Sequence, residues 1–105
     1  FTPDTPEATR AWIRGMMLGV PLPVALACRK TISFADLRAA AKGIDRPTLV
    51  VHGDQDASAP LALTGAKTAS LIGGSKFVVY EGAPHALPLT HSARLLADLL
   101  AFIDA

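Results

Sequence analysis

The sequence predicts an α/β chain in which a helical first part precedes a strand–helix–strand–helix unit with two parallel strands. Three observations carry this reading. Thr48-Leu49-Val50-Val51-His52 and Lys76-Phe77-Val78-Val79-Tyr80 are short, apolar, β-branched runs of strand length. Between them Leu61 to Ile72 carries a helical pattern, opened by Pro60 and closed by Gly73-Gly74. Before Asp45-Arg46-Pro47 the chain shows helical patterns and no strand pattern. The change of character there divides it into a helical segment, residues 1–44, and a sheet-forming segment, residues 45–105.

The composition bounds the answer. At 105 residues the chain holds one domain at most, and 50% apolar residues suffice for a packed core. The net charge of +1, with acids and bases interspersed, argues against a nucleic-acid partner, which needs a clustered basic face. No apolar run approaches the ~18 residues that a membrane span requires, and no basic-then-apolar leader opens the sequence. The lone Cys28 cannot form an internal disulfide, which points to a reducing, cytoplasmic compartment. A first residue of Phe rather than Met leads us to expect a piece of a longer protein.

Taken in order, Thr5-Pro6-Glu7 reads as a helix start: a capping hydroxyl, a proline at the first helical position and an acid favoured by the helix dipole. Ala8, Trp12 and Met16 then recur at four-residue spacing as one apolar stripe. Gly19 to Pro23 breaks that helix. Val24 to Thr31 forms a second, short one, and Ser33-Phe34-Ala35-Asp36 has the spacing of a capping box opening a third, with Gly43 as a left-handed cap at its end. Thr48 to His52 reads as a strand buried on both faces of a parallel sheet. The next strand, Ser75 to Tyr80, follows by a crossover, and a helix from about Thr90 to Ile103 buries Leu95, Leu99, Phe102 and Ile103, with Arg94 and Asp98 on its polar side.

Candidate chemistry lies in the two loops beyond the strands' carboxyl ends, where open α/β sheets place their ligands. Gly53-Asp54-Gln55-Asp56 follows the first strand and Gly82-Ala83-Pro84-His85 the second. A carboxylate held against an imidazole fixes its tautomer and stabilises the imidazolium formed when the ring takes a proton from a nucleophile. Asp56 and His85 are the candidate acid and base. Asp54, directly after Gly53, suits a turn-supporting role better, and His52, at a strand end, a packed or hydrogen-bonded one. His91 is expected to be exposed. His52, Asp54, Asp56 and His85 match no compact metal-ligand spacing, so no metal site is expected. Cys28 lies in an apolar helical pattern and reads as a buried structural thiol.

The segment from Arg46 to Pro60 resembles the acid-bearing segment of α/β-hydrolases, and Tyr80-Glu81-Gly82-Ala83-Pro84-His85-Ala86-Leu87 resembles their histidine loop. The nearer likeness, supported by Trp12 to Met17 and by Ala97 to Ile103, is to the bacterial cofactor-free haloperoxidase and arylesterase branch. The resemblance implies the C-terminal part of that fold, with residues 1–44 a cap-like segment and 45–105 part of the core. It implies a Ser–Asp–His order along the chain, matching Asp56 to the acid and His85 to the base, a small-molecule ester substrate, and neither haem nor metal. Trp12, Met16 and Met17 could line an acyl pocket, although plain helix packing accounts for them better.

The departure from the family pattern is equally informative. No Gly-x-Ser-x-Gly elbow occurs, and none of Ser33, Ser58, Ser70, Ser75 and Ser92 lies on a strand-to-helix turn. The chain is therefore expected to supply an acid and a base but no nucleophile. Alone it should be inactive, and the expected partner is the N-terminal part of the same fold. The alternative is a non-catalytic domain that folds by self-association or exchange of elements in a homo-oligomer.

Overall fold

A computed structural model describes all 105 residues. Three helices come first: α1 (Glu7–Leu18), α2 (Leu22–Phe34) and α3 (Arg38–Lys42). The sheet segment follows as β1 (Leu49–Gly53), a 3-10 turn (Leu61–Leu63), α4 (Gly65–Leu71), β2 (Lys76–Tyr80), α5 (Leu87–Thr90) and α6 (Ser92–Ile103). This is the predicted order, a helical first part followed by strand, helix, strand and helix.

β1 and β2 pair in parallel, with Leu49 opposite Lys76 and Gly53 opposite Tyr80. Parallel neighbours need a crossover, which the 3-10 turn and α4 supply. The ladder extends past both ends, where Lys76 N–H donates to Thr48 O at 2.8 Å and Asp54 N–H to Tyr80 O at 3.1 Å. In-register parallel strands of equal length release their following loops side by side, which brings Asp56 and His85 to one edge of the sheet.

The core lies just under that edge. Tyr80 is fully buried and packs with Ala83 and Leu87, flanked by Val51, Val78 and Leu95. The Tyr80 hydroxyl donates to Asp98, and the Arg94 guanidinium lies 3.8 Å over its ring, a cation–π contact. Burial first, and Asp98 second, push the Tyr80 phenol above its usual range. These contacts seat α6 on the end of β2, and they turn Asp98 inward from the polar face the sequence suggested.

Away from this region the chain is open. Only eight residues are buried, and the radius of gyration of 15.6 Å exceeds the ~13 Å of a compact domain of this length. The expectation of a strand buried on both faces is therefore corrected: β1 is only half-buried before Gly53, and β2 is largely exposed before Tyr80. Two strands have too few covering elements to close both faces. The apolar stripe of α1 is likewise uncovered, with Trp12 57% exposed, and Phe34 at the end of α2 is 79% exposed. No single helix is long and apolar enough to cross a membrane, and α1 and α2 meet at a 96° bend.

Local details differ from the sequence reading for identifiable reasons. Pro6, not Thr5, caps α1, because the Thr5 hydroxyl instead accepts the Thr2 amide at 3.1 Å. α2 runs through Ser33, so no capping box forms; its Pro23 sits in the first turn, where a missing N–H leaves no bond unmade. Asp36 accepts the Arg38 amide and two guanidinium N–H groups at 2.8 and 2.6 Å, which hold its carboxyl well below the usual range. Gly43 ends α3 in right-handed geometry, φ −84°, rather than as a left-handed cap. Cys28 is exposed, not buried, since α2 buries none of its residues. His91 is half-buried rather than exposed: its ring lies 6.1 Å from that of Tyr80, with Nδ1 2.8 Å from the Thr90 hydroxyl. On α6, Leu95 and Phe102 are half-buried, whereas Leu99 and Ile103 remain exposed.

Candidate active site

The loop after β1 is wrapped around the Asp56 carboxylate. Oδ1 accepts the amides of Ser58 at 2.9 Å and Ala59 at 2.8 Å, an Asx-type turn that fixes the side chain against its own backbone. Oδ2 faces the other way and lies 2.8 Å from His85 Nδ1. Asp56 is one of the buried residues, whereas the His85 side chain is 65% exposed. Burial alone would raise the Asp56 carboxyl, but the Ala59 amide, the His85 imidazole and the Ser58 amide together hold it below 3.8. An ionised carboxylate can only accept, so the proton of the Asp56–His85 bond sits on His85 Nδ1. The other ring nitrogen, Nε2, is then free to take a proton from a third group.

A second set of contacts ties the two loops together. Gly82 N–H donates to Asp54 Oδ1 at 2.7 Å, and Gln55 N–H donates to Ala83 O at 3.0 Å. Gly82 has φ +71°, a left-handed conformation that favours glycine. Asp54 thus bonds across to the histidine loop, not locally within its own turn as its position after Gly53 suggested. His52 is half-buried: its Nε2 lies 2.8 Å from Ala59 O and 3.5 Å from Asp56 Oδ2. The structure therefore brings Asp56, His85, Asp54 and His52 to one sheet edge, and leaves His91 elsewhere.

No group of three or more His, Cys, Asp or Glu side chains is arranged to hold a metal ion. A cavity of about 980 Å³ is an open groove between the end of α2, α3 and α4, lined by residues such as Phe34, Leu37, Leu63 and Leu71. It does not include Asp56 or His85, and we assign it no chemistry. Sequence reasoning missed Ala59, Ala83 and Gly82, whose main-chain groups build the site. Backbone donors and acceptors carry no residue signature, and only the glycine left a trace in the sequence.

No protein-family model matches the chain. Individual proteins do. The bifunctional esterase/perhydrolase of Acinetobacter calcoaceticus is 35% identical over 93% of this chain and 35% of its own length. The non-heme chloroperoxidase of Streptomyces lividans is 37% identical over 90% of this chain and 33% of its own. The crystal structure of bromoperoxidase from Bacillus anthracis superposes with a TM-score of 0.92 at 31% identity, covering 96% of this chain and 37% of that one. The chain spans about a third of the length of the curated relatives it matches. In sequence and in fold, it corresponds to a C-terminal part of an α/β-hydrolase, the superfamily that includes these non-haem haloperoxidases and the esterase/perhydrolase.

Proposed function

We propose that this chain supplies the acid and base of a Ser–Asp–His hydrolase acting on carboxylic esters, and that a serine from the N-terminal part of the same fold completes it. The observation that carries this reading is the 2.8 Å contact between His85 Nδ1 and the buried Asp56 carboxylate, with the rest of the imidazole exposed. In the completed site the serine Oγ attacks the ester carbonyl carbon while His85 Nε2 takes its proton. Asp56 keeps the ring in the required tautomer and stabilises the imidazolium. His85 then protonates the departing alkoxide, leaving an acyl-serine. Water, deprotonated by His85, attacks that ester and releases the carboxylic acid. Hydrogen peroxide in place of water gives a peracid instead, which oxidises halide without metal or haem; the likeness to a chloroperoxidase and an esterase/perhydrolase supports that branch.

By itself the chain is inactive on this reading, because it carries no nucleophile on a strand-to-helix elbow. Residues 1–44 act as a cap-like segment and 45–105 as core, and the exposed, unpaired Cys28 suits a cytoplasmic setting. The test is complementation. The 105-residue chain and the part of the Acinetobacter esterase/perhydrolase that lies outside the match are assayed for p-nitrophenyl acetate hydrolysis separately and mixed. We expect no turnover by either alone, turnover by the mixture, and loss of about 10⁴-fold or more on His85→Ala. Turnover by the 105-residue chain alone, or an unaffected His85→Ala mixture, would overturn the proposal.

A second reading is favoured by the open surfaces. Exposed apolar residues on α1 and α2, with two unpaired edges on a two-stranded sheet, invite association with another copy. A concentration-independent monomer in sedimentation would exclude it.

A further inference from the structure

We propose that His52 is a positioning residue: it holds the Ala59 carbonyl, and through Ala59 it sets the direction in which Asp56 meets His85. The proposal rests on the assignment of Asp56 and His85 as acid and base. His52 Nε2 lies 2.8 Å from Ala59 O. A carbonyl oxygen only accepts, so this nitrogen carries a proton and His52 acts as the donor. The same carbonyl accepts the Thr64 hydroxyl at 3.1 Å. Across the same residue, the Ala59 amide donates to Asp56 Oδ1 at 2.8 Å. Ala59 is thus held at its oxygen by His52 and Thr64 while its nitrogen holds the carboxylate.

The position of the His52 ring is enforced from the opposite side. A Cβ on Gly65, the first residue of α4, would lie 2.5 Å from His52 Nδ1 and 2.7 Å from Cγ. Gly65 has no positive φ, so what it supplies is room rather than an unusual backbone conformation. The ring therefore lies flush against the start of α4, with Nε2 directed at the acid loop. That nitrogen is also 3.5 Å from Asp56 Oδ2, the oxygen that receives His85. Two imidazoles converge on one carboxylate oxygen: His85 makes the short bond, and His52 flanks it while bonded to the neighbouring carbonyl. If His52 is lost, the Ala59 carbonyl keeps only the Thr64 hydroxyl, the 56–59 turn can pivot, and Oδ2 loses its fixed aim.

The readout is the tautomer of His85, measured from imidazole ¹⁵N shifts on the 105-residue chain, which a purely structural role would leave unchanged in a folded variant. We expect His85 to carry its neutral proton on Nδ1 in the parent chain. In His52→Leu we expect at least a twofold shift of the population toward Nε2–H. His52→Gln, which keeps a donor near the position of Nε2, restores the parent tautomer. Gly65→Ala, which displaces the ring without removing it, reproduces the leucine result and serves where His52→Leu does not fold. A folded His52→Leu or Gly65→Ala chain with the parent tautomer, or a His52→Gln chain no different from His52→Leu, would overturn the proposal. Asp56→Ala separates the role of Asp56 from that of His52. If it leaves the His85 tautomer unchanged, the assignment of Asp56 as orienting acid fails; if it shifts the tautomer while both other variants do not, only the role of His52 fails.

Discussion

Gly53 and Ala83 touch backbone to backbone: a Cβ added to Gly53 would lie 2.1 Å from the Ala83 carbonyl oxygen and 2.6 Å from its carbon. This contact closes the gap between the two loops that bear Asp56 and His85. Because the obstacle is main chain, no side-chain rotation relieves it. Gly53→Ala is expected to destabilise the chain by about 3 kcal/mol or more, or to part the two loops. Urea denaturation checks the first outcome, and loss of the Asp56-dependent His85 tautomer the second.

The Asp54–Gly82 bond joins the same loops through a side chain. It lies on the exposed side of the site, so its contribution is modest. Asp54→Ala should cost about 1 kcal/mol in urea denaturation. Hydrogen exchange at the Gly82 amide should accelerate, with the amides of β1 left unchanged. An unaltered Gly82 exchange rate would contradict the bond.

Tyr80 fastens α6 to the sheet through its hydroxyl. Tyr80→Phe keeps the ring under Arg94 but removes the donor to Asp98. A hydrogen bond to a charged acceptor is worth about 1.5–3 kcal/mol, and we expect a loss in that range. The exchange protection of α6 should fall more than that of β1.

Stability should fall at both ends of the pH scale, for two named residues. Asp56 titrates below 3.8 when folded, so the unfolded chain binds the proton first as pH drops. Its contribution is complete above that value and is lost as pH falls through the lower, folded one. Tyr80 titrates above 10.0 when folded, so its contribution is complete below pH 10.0 and is lost as pH rises beyond it. Asp56→Asn should flatten the acid limb of a stability–pH curve and Tyr80→Phe the alkaline limb. Asp36 is also depressed, but its pair with Arg38 is exposed and adds little to the acid limb.

The sequence made the sheet-forming segment readable and the helical segment much less so. β1, the crossover and β2 each have a local signal, a β-branched run or a proline–glycine bracket, and the structure follows those signals within a residue or two. Asp56 and His85 were legible as candidates because each lies in the loop that follows such a run. Ser33 to Asp36 misled because the capping spacing competes with a helix already under way, and propagating a helix costs less than restarting one. Cys28 misled because an apolar pattern signals burial only where another element exists to cover it. What could not be read was the main-chain scaffold of the site: the Ala59 amide and carbonyl, the Ala83 carbonyl and the Gly82 amide belong to every residue type alike.

The division of labour between the two oxygens of Asp56 has a mechanical consequence. With Oδ1 engaged by two amides of its own turn, the side chain cannot rotate to offer His85 the other oxygen without breaking both bonds. The direction of the imidazole is therefore set within residues 52 to 85. A nucleophile arriving from another polypeptide would meet a ring already aimed, with little rearrangement left to slow the reaction. Such a stretch could be transplanted as a unit, bringing its geometry with it.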